Sequence, residues 1–232
     1  SIYFSKTEVS NYLYNLFLSE NSGDEFKRDN AKWDEALPYA GIYTSDYAHH
    51  IEFAEYPVVN INREQAQAFC SWIETRYNQF EKKKLGEIKV DLPTIEEWEY
   101  AARGGLKNSP YPWGGPYLMN SRGSWLCNFN PVEERWILDN DTTFLVPGLT
   151  QKQLRESAGL DGVYVTGKVN WYSANGYELH NMAGNVAEMV KDAEVVKGGS
   201  WGSFQQKLII TESEPYEGAN SYTGFRIVVK KK

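Results

Sequence analysis

The chain has 232 residues, a formal net charge of -7 and an aromatic content of 15%. A chain of this length can bury a sizeable core, and because no Pro/Gly/Ser-rich linker divides it, we interpret residues 1–232 as a single domain. The negative charge disfavours nucleic acid and anionic membrane surfaces as partners, and the lack of a long apolar run excludes a membrane-spanning helix.

Residues 10–19 and 62–77 each carry apolar residues at helical spacing, which predicts two amphipathic helices. Asn62 and Gln65 have the pattern of a capping box, in which each side chain accepts a bond from the other residue's backbone N–H. We therefore expect the second helix to begin there. Residues 20–55, between the two helices, show no clear period and are interpreted as an ordered loop.

A second capping box, Thr94 with Glu97, predicts a third helix that ends at Gly104, where a left-handed cap forms easily. Residues 106–191 show little periodicity, which favours a long loop region held by internal contacts. Short strands are predicted at residues 89–92, 195–196, 208–211 and 225–229. The predicted fold class is therefore α+β, loop-rich, with short antiparallel strands and about three helices.

Four blocks, in order along the chain, carry a family resemblance. They are TEVSN at residues 7–11, YPVVN leading to AFCSW at residues 56–72, LPTIEEWEYAARGG with YPWG at residues 92–114, and NGYELHNMAGNVAE with KGGSW at residues 175–201, closed by GFR at residues 224–226. Together they resemble the formylglycine-generating enzyme, or sulfatase-modifying factor, family. The resemblance implies a mixed α/β fold related to the C-type lectin fold, in which bound calcium organises the loops.

The resemblance implies two structural calcium sites. Position by position, a calcium-binding stretch of the family matches Asn181, Gly184, Val186 and Glu188. Asn181 and Glu188 would supply side-chain oxygens, and Gly184 and Val186 would supply backbone carbonyls, which are the hard ligands that calcium takes. The alternative is that Asn181 and Glu188 cap a turn through hydrogen bonds without a metal ion, since the spacing is not that of an EF-hand loop.

A second calcium site of the family matches Asn128 and the carbonyl of Phe129, followed by Asp161 and Val163. The segment at residues 130–160 that separates the two halves is longer than is usual in the family. Calcium is thus the expected cofactor, in a structural role.

The oxidising members of the family use two cysteines, which bind copper, to convert a cysteine of a sulfatase peptide into formylglycine. Those two positions, shortly after the Gly-Gly-Ser-aromatic turn at residues 198–201, are Ser203 and Leu208 in this chain. Serine is a hard, weakly acidic ligand and leucine has no ligand atom, so neither is suited to copper. We therefore expect no copper and no oxidation of this type. The resemblance also matches Cys70 to a cysteine that forms a structural disulfide in the family. The position of its usual disulfide partner is occupied by Ile227 in this chain, so that disulfide is lost.

The remaining cysteines and histidines suggest no other metal centre. Cys70 lies on the apolar face of a predicted helix and is expected to be an inert buried thiol, although a pairing with Cys127 is left open. Iron-dependent sulfoxide synthases share this superfamily, but they use a three-histidine site. With only His49, His50 and His180, two of them adjacent, we expect no iron here.

Four tryptophans of the loop region could line a ligand groove, because aromatic platforms suit peptides and sugars. They are Trp113, Trp125, Trp171 and Trp201. Packing within the core and loops is the alternative interpretation, and we favour it.

The sequence favours a non-catalytic binding or scaffold domain with a protein or peptide partner. Its Asn-rich, cysteine-poor motifs resemble gliding-motility and secretion-linked lipoproteins of the cell envelope, so a periplasmic or extracellular location is expected, with a signal peptide already removed. Two alternatives are a peptide-modifying oxidoreductase with altered chemistry, and a ligand-binding protein with a diversified surface between Trp201 and Gly224. Oligomeric state cannot be derived from the sequence.

Overall fold

A computed structural model of the chain describes residues 1–131, 163–191 and 193–232. Its α-helices are α1 (Asn11–Glu20), α2 (Lys32–Ala36), α3 (Gly41–Ser45), α4 (Arg63–Gln79) and α5 (Ile95–Arg103). The three longest of these confirm the three predicted helices, within a residue or two at each end.

Side-chain caps explain where the long helices begin. The side chain of Asn62 accepts from the backbone N–H of Gln65 and the Gln65 side chain accepts from that of Asn62, so the capping box of α4 is present as predicted. Thr94 and Glu97 form the same arrangement at α5. Gly104, with φ 55°, ends α5 in the left-handed region, which costs glycine little.

The helices α2 and α3 were missed in the sequence, because five residues are too few to show a helical period. They are held by packing instead. The ring of Trp33 in α2 is fully buried and lies 4.8 Å from the ring of Tyr47 and 5.0 Å from that of Tyr43, measured between centroids. The segment at residues 20–55, predicted as an ordered loop, therefore contains short helices that pack around an aromatic cluster.

In the described part of the chain, seven short strands form two sheets. They are β1 (Ile2–Phe4), β2 (Ile88–Asp91), β3 (Ala187–Met189), β4 (Val195–Lys197), β5 (Glu214–Pro215), β6 (Thr223–Gly224) and β7 (Val228–Lys231). The first sheet has the order β1-β7-β2 and joins the two ends of the described chain. The second has the order β5-β4-β3-β6, and its pairs are antiparallel except for β3 with β6.

Two predicted strands are corrected by the structure. Residues 208–211 form no strand; the segment Gln205–Leu208 is a short 3-10 helix followed by a turn. Its apolar residues, Leu208 and Ile210, are both fully buried, but in separate core clusters, so their hydrophobicity reflects packing rather than strand pairing. The prediction at residues 225–229 is displaced, because the strand there runs from Val228 to Lys231.

The α+β fold class is confirmed: helices and short strands alternate with long ordered loops. In the part of the chain that the structure describes, no helix is long and apolar enough to cross a membrane. That the whole chain is one domain stays a prediction.

Candidate functional site

The turn at residues 198–203 shapes the first part of the site. Gly198 and Gly199 have φ of 88° and 66°, a region that L side chains rarely adopt. A Cβ at Gly199 would also lie 3.0 Å from the Leu208 side chain. The two glycines therefore bring the turn close against the core and orient Ser203.

Ser203 is buried and hydrogen-bonded on both sides. Its Oγ accepts from the backbone N–H of Ser200 at 2.9 Å and donates to Glu214 Oε2 at 2.7 Å. The Oγ atoms of Ser200 and Ser203 also lie 3.1 Å apart. The hydroxyl is thus part of a network that links the turn to β5.

Leu208 has a different environment from Ser203. It is fully buried in a hydrophobic cluster with Trp125, Cys127, Phe129 and other apolar residues. A leucine in such a core offers no ligand atom to a metal. The two positions that the family resemblance matches to copper-binding cysteines therefore carry side chains that do not suit that ion.

A cavity of about 250 Å³ opens beside Ser203 on the second sheet. Its lining includes Ser200, Glu214 and Glu217. The remaining lining residues are contributed by the strands and the adjoining turns: Ala187, Val196, Gly202, Pro215, Asn220, Tyr222 and Thr223. The pocket is therefore bounded by hydroxyls, carboxylates and apolar side chains together.

A buried ion pair lies behind this sheet. Both oxygens of Glu188 accept from Arg226, with Nη2 and Nε at 2.6 Å, and Trp98 Nε1 donates to the same carboxylate at 2.6 Å. Arg226 Nη2 also donates to the carbonyl of His180 at 2.8 Å. A guanidinium that donates to both oxygens of one buried carboxylate forms a strong, geometrically specific ion pair, so Arg226 anchors the segment after the second sheet to the core.

A second buried carboxyl group, that of Glu8, adjoins the pair. Asn185 Nδ2 donates to Glu8 Oε1 at 2.8 Å, and Asn181 Nδ2 lies 3.2 Å from both carboxyl oxygens. Burial raises the pKa of Glu8 to about 8; Arg226 lowers this pKa and Glu188 raises it. Sequence reasoning missed Glu8, although it lies within the TEVSN block.

The residues of the first predicted calcium site offer some, but not all, of the ligands that a calcium ion needs. Asn181 Oδ1 is buried and has no hydrogen-bond partner among the described residues, so a hard acceptor is available there. The carboxylate of Glu188 is already bound by Arg226 through both oxygens, so a calcium ion would have to share it with the guanidinium. Gly184 and Val186 lie on the same loop between Asn181 and Glu188, and their carbonyls are the remaining candidates.

Three members of the second predicted set are brought together. One cavity of about 410 Å³ is lined by Asn128, Phe129 and Val163, although Val163 lies far from the other two residues in the sequence. Asp161, the predicted carboxylate ligand, lies outside the described residues. Calcium at either set stays a prediction.

The tryptophans do not share one groove. Trp201 and Trp125 line the cavity of about 410 Å³, whereas Trp113 lines a separate one of about 320 Å³. The Trp201 ring stacks on that of Tyr222 at 4.4 Å, and Trp171 is 46% exposed. Trp125 and Trp201 are buried, and whether any of the four tryptophans binds a ligand stays a prediction.

Neither cysteine forms a disulfide and both are buried, which answers the open question of their pairing. Cys70 belongs to the hydrophobic cluster against which Ile227 packs, so these two positions, which other family members join by a disulfide, contribute to apolar packing here. Among the described residues, no group of three or more His, Cys, Asp or Glu side chains could hold a metal ion. His180 Nδ1 lies 2.7 Å from the carbonyl oxygen of Tyr172.

Comparison with known proteins agrees with the sequence blocks. The family model for the sulfatase-modifying factor enzyme 1-like domain matches residues 1–231. The chain is 28% identical over 191 residues to the inactive C-alpha-formylglycine-generating enzyme 2 of Bos taurus, covering 75% of this chain and 50% of the relative. It is 35% identical over 170 residues to the formylglycine-generating enzyme of Thermomonospora curvata, covering 70% of this chain and 42% of the relative.

The chain thus spans about half of the length of the curated relatives that it matches. Among solved structures, PvdO from Pseudomonas aeruginosa is similar over 98% of this chain and 79% of its own, with a TM-score of 0.61 at 15% identity. That likeness concerns the fold. Together with the match over nearly the whole chain, these findings show that the protein belongs to the sulfatase-modifying factor enzyme 1-like, or FGE-sulfatase, family.

Proposed function

We propose that this protein is a non-catalytic member of its family, a binding or scaffold domain for a protein or peptide partner. The observation that carries the proposal is the state of the two positions that bear the cysteine pair in the oxidising members. Leu208 is sealed in the core and Ser203 is hydrogen-bonded to Glu214, so neither is built for thiol or copper chemistry.

The relatives are consistent with a loss of activity within the family. Two of the curated relatives, from Bos taurus and Mus musculus, are named inactive C-alpha-formylglycine-generating enzyme 2. A frame of short strands that carries long loops is suited to recognition, because loops can vary while the core holds them in place.

Two further properties belong to the proposal. We expect structural calcium, because Asn181 Oδ1 is an orphaned acceptor beside the carbonyls of a buried loop. We also expect a periplasmic or extracellular location, as in gliding-motility and secretion-linked lipoproteins, because the Asn-rich, cysteine-poor motifs resemble theirs. Fractionation of the producing cells, followed by detection of the native protein, tests this location.

The test of the missing activity is direct. The purified protein is incubated with copper(I), oxygen and a peptide that carries a sulfatase cysteine motif, and the peptide is then analysed by mass spectrometry and aldehyde-specific labelling. The formylglycine-generating enzyme of Thermomonospora curvata serves as the positive control. We expect the thiol to remain intact with the present chain, and conversion to an aldehyde would overturn the proposal.

A second experiment tests the proposed binding function by capturing a partner protein. The protein is immobilised and exposed to envelope extracts in calcium or in chelator, and bound proteins are identified. A specific partner that is lost when calcium is removed supports a calcium-organised binding surface. Copper or iron bound at one equivalent per chain would instead favour the alternative, an oxidoreductase with altered chemistry.

A further inference from the structure

The cavity beside Ser203 is formed on one face of the second sheet. Val196 of β4 pairs directly with Glu214 of β5, and Ala187 of β3 pairs with Thr223 of β6. Residues paired across strands point to the same face, and all four line the cavity. Each of the four strands therefore contributes a side chain to this pocket.

The charged side chains that line the cavity are acidic. Glu214 and Glu217 both line it, whereas no Lys, Arg or His among the residues that the structure describes does. Neither carboxylate has an ion pair with any residue that the structure describes, and Glu214 accepts a hydrogen bond from Ser203. Two carboxylates beside a hollow of about 250 Å³ create a field that attracts a positive group.

A hydroxyl that has no hydrogen-bond partner among the described residues also faces the cavity. Thr223 is 4% exposed and lines the cavity, but its side chain makes no hydrogen bond with the described part of the chain. Its Oγ1 is not among the fully buried atoms that lack a partner, so it is accessible from the hollow and can take a hydrogen-bond partner there. A donor seated in the cavity would supply one.

The walls favour an organic cation over a metal ion. The apolar part of the lining is Ala187, Val196, Pro215 and the ring of Tyr222, surfaces that suit an aliphatic stem. An aromatic ring face also attracts a cationic head group. The described residues hold no group of three or more metal-ligating acidic, histidine or cysteine side chains, and the hollow is far larger than a bare ion.

We propose that this cavity binds the positively charged end of a lysine or arginine side chain of a peptide partner, with Glu214 and Glu217 facing the charge. The proposal rests on the proposed function as a binding domain and names the chemistry of its partner. The place that holds the cysteine pair in oxidising relatives is, in this chain, bordered by a recognition pocket.

Blocked tripeptides test the proposal on the full chain. Acetylated, amidated Gly-Lys-Gly and Gly-Arg-Gly are titrated at low salt by calorimetry, with the citrulline and norleucine peptides as matched neutral probes. We expect saturable binding of at least one basic peptide, weakened by added salt, and no measurable binding of the neutral ones. Equal binding of citrulline and arginine peptides, or no binding at millimolar concentration, would overturn the proposal.

Conservative variants locate the site. Glu214→Gln keeps an acceptor for Ser203 and removes the charge, so we expect at least roughly fivefold weaker binding, with a smaller loss for Glu217→Gln. The control is Glu212→Gln, an exposed carboxylate of the same segment outside the cavity, which should bind like wild type. Unchanged near-ultraviolet circular dichroism and melting temperature verify that each variant folds.

Binding by Glu214→Gln and Glu217→Gln at wild-type strength would place the peptide elsewhere and refute the assignment. The outcome is separable from that of the activity test. If the basic peptides fail to bind while the sulfatase peptide stays unmodified, the cation pocket is wrong and the non-catalytic assignment stands.

Discussion

Arg226 and Glu188 form a bidentate ion pair in the core, with both side chains essentially inaccessible to water. The contact joins the segment that follows β6 to β3, and through Trp98 it also ties α5 to the same carboxylate. Since both residues belong to the last of the four blocks that carry the family resemblance, motif residues here serve the fold. The loss of stability that follows when this ion pair is broken can be measured.

We expect Glu188→Leu to lower the free energy of unfolding by about 3–5 kcal/mol, because it leaves the Arg226 guanidinium buried without its bidentate partner. Urea unfolding measures the loss. The control is Glu178→Gln, which breaks the exposed pair with Lys6 and should leave the unfolding midpoint nearly unchanged. Equal effects of the two substitutions would contradict the assigned role of the buried pair.

A second prediction concerns pH and Glu8. Its pKa is raised from 4.5 to about 8, so the folded state holds the proton more tightly than the unfolded state. The stability that this group contributes is fully present below pH 4.5 and is lost as pH rises towards 8. We expect Glu8→Gln to match wild type near pH 4.5 and to be increasingly more stable than wild type up to pH 8 in chelator. Parallel stability profiles of the two proteins would show that the carboxyl does not titrate in this range.

Removal of calcium should lower the melting temperature, because a ligand that binds only the folded state stabilises it. At free calcium a hundredfold above Kd, the stabilisation is about 2.7 kcal/mol, or roughly 5–10 °C for a domain of this size. Asn181→Ala should reduce this response, since it removes the orphaned amide oxygen. Differential scanning calorimetry with calcium and with chelator makes the comparison, and identical melting curves would remove the metal assignment.

Both thiols should resist modification in the folded protein. Burial raises the pKa of Cys70, so little of the reactive thiolate is present, and Cys127 is also buried. Titration with a thiol-reactive disulfide reagent should show slow reaction under native conditions and two equivalents after unfolding in urea. A rapid stoichiometric reaction of the native protein would mean that one thiol is accessible.

Local patterns determined much of the fold from the sequence alone. The capping boxes at Asn62 and Thr94 predicted where α4 and α5 begin, because a cap is made by residues three positions apart. The family blocks identified the family, and the residues at positions 203 and 208 argued against the cysteine chemistry. None of this needed distant parts of the chain to meet.

Only the tertiary structure decided the role of residues whose partners lie far away in the sequence. Leu208 and Ile210 looked like a strand, but burial in separate clusters explains their apolar character. Glu8 meets Asn185 across 177 positions, and Glu214 faces Ser203 only because β5 pairs with β4. A local pattern carries no information on such pairings, since they arise when the chain packs around its core and buried polar groups find partners there.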